Sequence, residues 1–319
     1  MKSRKTIGVV LLNLGGPEHP EEVRPFLYNL FSDRQIIRLG PSFLQKPIAW
    51  AIARRRAPKS TANYAMIGGG SPIRKTTEEQ ARVLEQMLQD DGRFVVRPCM
   101  RYWHPFALET LHELSQLGVE EIVALPLYPH YSKATTGSSL FDLHRALKKL
   151  NLNIPVRTVS SWPAEPLFIA CLADRIRAGV QSFHGAEVQV VYSAHSLPVQ
   201  FIREGDPYVE HLQESIVAVE THTGIKGHLC YQSRSGPVEW LGPSLPDMLT
   251  TLAGDGCTNV LVVPISFVSD HIETLYEIDI QYRRIAEELG MGFAMTEALN
   301  ADPRFISGLR NLVLTGLRE

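Results

Sequence analysis

A histidine and two glutamates are the residues of this chain best suited to chemistry. His195 follows an apolar run at 187–194, which predicts a β-strand. Glu273 and Glu277 follow a second apolar run at 259–267, and their spacing of four places them on one face of a helix. Neutral imidazole accepts protons and binds borderline metals, whereas stacked carboxylates on a half-buried helix repel each other unless a proton or cation lies between them. These residues therefore predict proton transfer or metal handling, with a solvated acidic helix face as the alternative.

Basic and glycine-rich motifs in the first half of the chain supply candidate anchors for an anionic group. They are Arg54-Arg55-Arg56, Tyr64, Gly68-Gly69-Gly70 with Ser71, and Arg101-Tyr102. A glycine-rich turn before a helix can present backbone N–H groups to an anion. This turn is neither a Walker loop nor a GxGxxG fingerprint, and Gly15-Gly16-Pro17 also fails the dinucleotide pattern. The mismatch argues against a nicotinamide-dependent enzyme.

Apolar runs rich in Val and Ile alternate with helical-period segments along the chain. The predicted strands lie near 6–13, 94–100, 121–127, 155–160, 187–194, 227–231, 259–267 and 291–296. The predicted helices lie near 76–90, 105–118, 138–150, 164–184, 207–222, 244–254 and 270–289. This alternation predicts an α/β fold with two similar doubly wound domains, each with a four-stranded parallel sheet flanked by helices.

The strand pattern occurs twice, which indicates two domains. We expect an N-terminal domain at 1–160 and a C-terminal domain at 161–302, with a terminal helix at 303–319 packing on the first domain. Ligands of doubly wound sheets bind beyond the carboxyl ends of the strands, and between domains where there are two. The active site is therefore expected in a cleft between the domains, beside His195.

The segment at 26–56 interrupts the alternation. It combines many apolar side chains with Arg54-Arg55-Arg56 and two prolines. Such a composition is typical of an interfacial surface that contacts lipid or an apolar ligand. A helical pair that covers the first sheet is the alternative, because apolar periodicity does not separate the two.

Composition excludes several classes of protein. The formal net charge of −2 over 319 residues argues against a nucleic-acid partner. No stretch reaches about 18 consecutive apolar residues, so no membrane-spanning helix is expected. The apolar run near the N-terminus passes into Gly15-Gly16-Pro17 without a small-residue cleavage site, which favours a first strand over a secretion signal. The widely spaced Cys99, Cys171, Cys230 and Cys257 are expected to be reduced thiols in a cytoplasmic protein, peripheral at a membrane if 26–56 binds lipid.

Nine motifs, in the expected order, resemble those of the ferrochelatases over essentially the whole chain. They are LNLGGP at 12–17, RRRAPK at 54–59, IGGGSPI at 67–73, MRYWHP at 100–105, LYPHYSKATTGSS at 127–139, SAHSLP at 193–198, GDPY at 205–208, QSRSGPVEWLGP at 232–243 and FVSDHIETLYEID at 267–279. The resemblance implies a chelatase fold and a lyase that inserts Fe2+ into protoporphyrin IX or coproporphyrin III. This reaction forms haem and is the last or near-last step of its biosynthesis.

The resemblance also implies roles for individual residues. His195 and Glu273 are the implied catalytic and metal-contacting pair, facing each other across the porphyrin, and His271 and Glu277 are implied in an acidic path for metal or protons. The porphyrin-binding candidates are Leu14, Arg56, Tyr64, Ser71, Arg101, Tyr102, Tyr128, Trp162 and Trp240. Of these, the family pattern places Arg56, Tyr64 and Ser71 near the propionates.

Three positions depart from the family pattern. Lys133 replaces the loop cysteine of the members that bind a [2Fe–2S] cluster, and no cysteine follows Cys257, so four cluster thiolates are not available. Leu14 stands where other members carry methionine, and Gln281 replaces a further acidic residue. We expect no permanently bound cofactor, with Fe2+ as a substrate.

Metal insertion explains why these residue types occur together. The reaction removes two pyrrole protons and bends the ring so that its nitrogen lone pairs meet the metal. We expect His195 to take the pyrrole protons while Glu273, with Glu277, relays protons or guides the cation. The reverse assignment, in which the metal arrives through His195, stays open.

Three other functions are consistent with parts of the pattern. A porphyrin carrier has no use for a carboxylate row, and a hydrolase with zinc bound by His195, His271 and Glu273 lacks the HExxH spacing. Cobalt or nickel chelatases of related tetrapyrroles share the physics but not the long motifs. The apolar 26–56 segment favours protoporphyrin over coproporphyrin, and a membrane surface and other haem-pathway proteins are the expected partners.

Overall fold

The structure is a computed structural model that describes residues 5–234, 236 and 238–318, so the predicted domain ends at 1–4 and 319 and two positions of QSRSGPVEWLGP lie outside the described residues. The strands are β1 (Thr6–Asn13), β2 (Arg93–Met100), β3 (Glu121–Pro126), β4 (Val156–Thr158), β5 (Gln189–His195), β6 (Gly227–Gln232), β7 (Asn259–Pro264) and β8 (Gly292–Met295). The α-helices are α1 (Val23–Ser32), α2 (Gln45–Ala65), α3 (Ile73–Leu88), α4 (Ala107–Gln116), α5 (Ser138–Lys149), α6 (Pro166–Gln181), α7 (Val199–Arg203), α8 (Tyr208–Thr223), α9 (Leu245–Gly254), α10 (Arg283–Glu288) and α11 (Pro303–Gly316). Two π-helices, Lys133–Gly137 and Glu273–Tyr282, interrupt this regular pattern.

The chain divides into two compact units. Unit 1 comprises the residues up to Ser161 together with those from Asn300 onward, and unit 2 is Trp162–Leu299. Helix α11 therefore belongs to unit 1, where the Arg310 guanidinium bonds both carboxylate oxygens of Asp91, just beyond α3, at 2.7 Å.

Unit 1 contains a four-stranded parallel sheet in the order β2-β1-β3-β4. In its register Val9 lies between Val96 of β2 and Val123 of β3. The central strands are apolar on both faces, and Val9–Leu12 and Ile122–Leu125 are fully buried. Helices α4 and α5 pack on one face through Leu111, Leu114 and Leu143, as the continuous apolar runs require.

Unit 2 repeats the topology with the order β6-β5-β7-β8, again parallel. Val191 of β5 lies between His228 of β6 and Val262 of β7. Because β5, β6 and β7 are neighbours that run in one direction, the residues that follow them meet at one edge of the sheet. The predicted fold class, two four-stranded parallel sheets flanked by helices, is confirmed.

The segment at 26–56 forms part of a helical pair in unit 1. Helix α1 buries Phe26, Leu27 and Phe31, which supports the alternative of a packed pair. Other apolar side chains of the segment remain at the surface, with 76% of Phe43 and 46% of Trp50 exposed. Within the described residues, no helix is both long and apolar enough to cross a bilayer.

Candidate active site

The last residue of β5 is His195, and its backbone is fixed on both sides. Its peptide N–H donates to the Ser266 hydroxyl at 3.1 Å, and its carbonyl oxygen accepts from the Tyr208 hydroxyl at 3.0 Å. Tyr208 opens α8, where its own N–H donates to Asp206 at 3.1 Å. The GDPY motif, which sequence reasoning left without a role, therefore positions His195.

Glu273 faces the imidazole of His195 directly. The distance from His195 Nδ1 to Glu273 Oε2 is 2.8 Å, and the two side chains are 37% and 18% exposed. Burial lowers the pKa of His195, but the charge of Glu273 and its hydrogen bond outweigh burial and raise it. Burial likewise raises the pKa of Glu273. The charge of His195 and its hydrogen bond, together with the hydrogen bond from Ser233, outweigh burial, so the pKa of Glu273 is lowered overall. The pair therefore favours imidazolium and carboxylate, and Nε2 of His195 is the nitrogen left for a substrate.

Glu277 is joined to Glu273 through Ser233, which follows β6. The Ser233 hydroxyl lies 2.9 Å from Glu273 Oε2 and also bonds Glu277 Oε2, while the Ser233 peptide N–H donates to Glu277 Oε1 at 2.8 Å. One hydroxyl hydrogen satisfies only one carboxylate, so the second contact needs a proton on a carboxyl group. Burial and the charge of Glu273 raise the pKa of Glu277, which makes Glu277 the carboxyl that holds this proton.

The helix that carries the carboxylates is a π-helix rather than the predicted α-helix. In a π-helix the backbone bonds join residues five apart, so residue i+5 becomes a near neighbour. The Tyr282 hydroxyl accordingly donates to Glu277 Oε1 at 2.5 Å, whereas Gln281 is exposed. In an α-helix Gln281 would share a face with Glu277, but in this π-helix Tyr282 takes that place.

His271 is buried beside the pair. Its Nδ1 lies 3.1 Å from the Ser269 carbonyl, which fixes Nδ1 as the protonated nitrogen. Its Nε2 is buried and has no hydrogen-bond partner among the residues that the structure describes. Burial lowers the pKa of His271, so the ring is held neutral. Phe267 lies between the two histidines, 4.3 Å from the ring of His271 and 6.4 Å from that of His195.

The porphyrin candidates Leu14 and Ser71 lie at the carboxyl end of β1. The Ser71 N–H donates to the Pro17 carbonyl at 2.7 Å. The Ser71 side chain lies so close to Gly16 that a Cβ there would fall 2.7 Å from it. The Leu14 carbonyl accepts from the Tyr102 N–H at 3.0 Å. The LNLGGP, IGGGSPI and MRYWHP motifs are therefore one local structure.

Arg101 and Tyr102, both predicted to bind porphyrin, are hydrogen-bonded to Asp33. The Tyr102 hydroxyl and the Arg101 guanidinium each lie 2.7 Å from Asp33 Oδ2, and the Ser138 hydroxyl donates to the same oxygen at 2.6 Å. Tyr102 is only 1% exposed. Burial raises the pKa of Asp33, yet Arg101 and these donors lower it overall. The structure thus places both residues in a buried cluster inside unit 1.

The remaining porphyrin candidates are distributed over both units. Arg56 is exposed with its guanidinium 5.3 Å from the Phe31 ring, Tyr64 is buried in α2, and Tyr128 is half-buried with its hydroxyl inside. In unit 2, Trp162 is buried edge-on against Phe168 at 5.1 Å. Half-buried Trp240 pairs by backbone with Pro198, and its indole N–H has no partner among the described residues.

Metal ligands are sparse in the described part of the chain. It contains no group of three or more His, Cys, Asp and Glu side chains arranged to hold a metal ion. Cys99, Cys171, Cys230 and Cys257 are free thiols. The donors at the site are imidazole and carboxylate, which suit a divalent cation that is passed on rather than retained.

Sequence reasoning missed four residues of this arrangement. Ser233 and Tyr208 lie in quoted motifs, QSRSGPVEWLGP and GDPY, so a signal existed without an assigned role. Tyr282 lies just beyond the FVSDHIETLYEID motif, and only knowledge of the π-helix relates it to Glu277. Asp33 has no local signal, because its partner Arg101 is 68 residues away.

Two solved structures of the chelatase SirB have a similar fold. The sirohydrochlorin chelatase SirB from Bacillus subtilis subspecies spizizenii, in complex with cobalt, matches 98% of this chain and 96% of its own at a TM-score of 0.55 and 11% identity. SirB from Bacillus subtilis with Fe3+ matches 98% and 95% at a TM-score of 0.53 and 12% identity. At such identities the likeness defines the fold alone: a two-unit, chelatase-like α/β protein.

Sequence comparison identifies the family within this class. The family model described as ferrochelatase matches residues 6–317. The ferrochelatase of Desulfotalea psychrophila is 59% identical over 307 residues, covering 96% of both chains. Those of Geotalea uraniireducens and Geobacter metallireducens are 50% and 48% identical over 96% and 98% of both chains. The chain belongs to the ferrochelatase family.

Proposed function

We propose that this chain inserts Fe2+ into a porphyrin and releases two protons, which forms haem. The observation that carries the proposal is the hydrogen-bonded His195–Glu273 pair at the carboxyl edge of the second sheet. Membership of the ferrochelatase family supports it. The reaction balances without a redox partner, because the two pyrrole N–H protons leave as one divalent cation enters.

His195 is the proposed acceptor of pyrrole protons. Its Nδ1 is held by Glu273, so in the neutral ring Nε2 is the nitrogen that takes a proton, and the carboxylate stabilises the imidazolium that results. Partial exposure of the ring, at 37%, leaves it accessible to a substrate. The reverse assignment would use Nε2 as a metal ligand. It also needs the neutral ring, so the raised pKa of His195 affects both assignments alike.

Glu273 and Glu277 are proposed to carry the protons away or to guide the cation. Their link through Ser233 supports this role, because protons move along continuous hydrogen bonds. His271, with a buried and unpartnered Nε2, is proposed as a neutral neighbour of that path.

Multiple turnover separates this function from a porphyrin carrier. Catalytic amounts of protein, incubated anaerobically with excess protoporphyrin and Fe2+, are expected to metallate many equivalents of porphyrin per protein. The loss of free-porphyrin fluorescence measures this turnover. Binding of one equivalent without further loss would instead indicate a carrier. Zinc retained stoichiometrically through dialysis would indicate the metal-dependent hydrolase.

Protoporphyrin is the proposed substrate rather than coproporphyrin. The support is the apolar surface of the 26–56 segment, where Phe43 and Trp50 stay exposed. Fewer carboxylates make protoporphyrin the less polar of the two. Turnover of both porphyrins under identical conditions tests this, and a large preference for coproporphyrin would contradict it.

The same surface is proposed to contact an anionic membrane peripherally. Phe43 and Trp50 are exposed, and the Arg24 and Arg54 guanidinium groups each lie 5.4 Å from the centre of the Trp50 ring. Apolar side chains ringed by arginine suit the headgroup region of an anionic bilayer. Sedimentation with vesicles tests the contact.

Two variants make the vesicle experiment specific. Phe43→Ser is expected to weaken binding to vesicles that contain phosphatidylserine, whereas Phe141→Ser, which removes a phenylalanine 52% exposed elsewhere in unit 1, is expected not to. Equal binding by the wild type and both variants would contradict the membrane contact.

A further inference from the structure

Ser233 is the residue that physically connects the two buried carboxylates. Its hydroxyl lies 2.9 Å from Glu273 Oε2 and bonds Glu277 Oε2 as well. Its peptide N–H adds a bond to Glu277 Oε1 at 2.8 Å. Three contacts from one small residue hold the two carboxyl groups in a fixed relation.

The backbone of Ser233 is unusual for a residue with a side chain. Its φ is +65°, in the left-handed region that glycine adopts freely and other residues seldom do. Such strain persists where the surroundings impose it, and it concentrates at functional sites. Here the left-handed turn directs both the N–H and the hydroxyl of Ser233 at the carboxylates.

The residue before Ser233 anchors the same turn to the sheet. Gln232 is 1% exposed, its Oε1 accepts from the Ser193 hydroxyl at 2.6 Å, and its Nε2 lies 3.4 Å from Glu273 Oε2. Glu273 Oε2 therefore forms hydrogen bonds with Gln232, Ser233 and His195. Without the Ser233 hydroxyl, the hydrogen bonds left to Glu273 Oε2 among the described residues are the long one from the Gln232 amide and the one with the His195 imidazole.

We propose that Ser233 is a positioning residue for metal insertion, an inference that rests on the proposed function. Its hydroxyl ties Glu273 to Glu277 and so holds Glu273 against His195. It acts through the carboxylates and does not itself contact the porphyrin or the metal.

Steady-state rates of Ser233→Ala test the proposal. The alanine keeps the peptide N–H on Glu277 and removes only the hydroxyl that reaches Glu273. We expect kcat to fall about 10- to 100-fold, because one hydrogen bond to a charged group is lost. The KM for porphyrin is expected to change less than about 2-fold, since the porphyrin is not touched.

A double-mutant cycle with Glu277→Gln distinguishes this role from a general structural one. If Ser233 acts by joining Glu277 to Glu273, the double variant is expected to lie within about 3-fold of the slower single variant. Ser182→Ala, which removes a surface hydroxyl bonded to the Gly179 carbonyl, is the matched control and is expected to keep the wild-type rate. Ser233→Gly repeats the test in a backbone that accepts the left-handed conformation without strain.

The outcomes separate the inference from the function on which it rests. The role of Ser233 would be overturned if both Ser233 variants kept the wild-type kcat, or if the losses of the two single variants multiplied in the double variant. In either case, turnover by the wild type would still support the proposed function. A wild type that binds porphyrin without metallating it would overturn both. A fall in kcat at constant KM with non-multiplying losses would support the inference.

Discussion

Replacing Glu273 by glutamine removes the charge that faces His195 and keeps the size of the side chain. The bond that changes is the 2.8 Å contact between His195 Nδ1 and Glu273 Oε2. A hydrogen bond between charged groups contributes about 1.5–3 kcal/mol, and the 37% exposure of the ring argues for the lower half of that range. Since each 1.4 kcal/mol is about tenfold in rate, Glu273→Gln is expected to lower kcat/KM about 10- to 50-fold.

The same substitution is expected to move the pH dependence in a defined direction. In the wild type, Glu273 raises the pKa of His195 above its ordinary 6.5, even though burial lowers it. A proton acceptor works only when deprotonated, so the acid limb of kcat/KM is expected above pH 6.5 in the wild type. In Glu273→Gln the largest opposing charge is removed while burial remains, so the limb is expected to move to lower pH than in the wild type.

Initial rates of porphyrin fluorescence loss, measured anaerobically from about pH 5.5 to 9, give both quantities. Glu288→Gln, a surface carboxylate paired with Arg284, is the control and is expected to keep the wild-type profile. An acid limb at the same pH in wild type and Glu273→Gln would refute the reasoning, and so would a loss smaller than about 2-fold.

The remaining predictions concern Asp33, Tyr208 and Gly70, which support the fold of the units or the position of His195. Because the pKa of Asp33 is lowered in the folded protein, its contribution to stability is full above pH 3.8 and is lost as the pH falls further. Asp33→Asn, which leaves Arg101 without its nearest charged partner, should lower the free energy of unfolding by about 3–5 kcal/mol at neutral pH in urea titrations. Tyr208→Phe should lower kcat about 3- to 10-fold at unchanged porphyrin KM, because the His195 carbonyl loses its 3.0 Å donor. Gly70→Ala would place a Cβ 2.0 Å from a backbone carbonyl oxygen, so we expect about 1–3 kcal/mol of destabilisation or more, read from thermal unfolding.

The regular elements of both sheets were predictable because apolar runs mark buried parallel strands. The run at 6–13 is β1, Thr6–Asn13, and the run at 121–127 is β3, Glu121–Pro126. The run at 259–267 was predicted too long, since β7 ends at Pro264. Apolar residues beyond a strand end are still buried here, Ile265 and Val268 among them, so hydrophobicity alone does not mark where the strand ends.

The placement of His195 and Glu273 at one sheet edge was predictable, but their direct contact was not. The resemblance implied that they face each other across the porphyrin, whereas the two side chains are hydrogen-bonded at 2.8 Å. His195 ends β5 and Glu273 follows β7, its neighbour in the same sheet, so topology brings them to the same edge. The π-helix was not foreseen, because carboxylates four residues apart share a face in an α-helix as well. The bond of Tyr282 to Glu277 reveals the wider helix only in three dimensions.

The cluster around Asp33 shows a second limit. Arg101 and Tyr102 follow β2, and they were predicted at the porphyrin as anchors for an anionic group and from the family resemblance. Both are bonded to a carboxylate 68 and 69 residues away in the chain. Such a long-range pairing leaves no periodic pattern in the sequence, so the contacts of Arg101 and Tyr102 with Asp33 can be identified only in the folded structure.

The most direct test of the proposed chemistry is anaerobic metallation of protoporphyrin by wild type and His195→Ala, with porphyrin affinity measured in parallel. If His195 accepts the pyrrole protons, the variant is expected to bind porphyrin with wild-type affinity and to lose about 100-fold or more in turnover. Turnover close to that of the wild type would contradict a proton-accepting role for His195. A loss of affinity that accounts for the whole loss of rate would make His195 a binding residue instead.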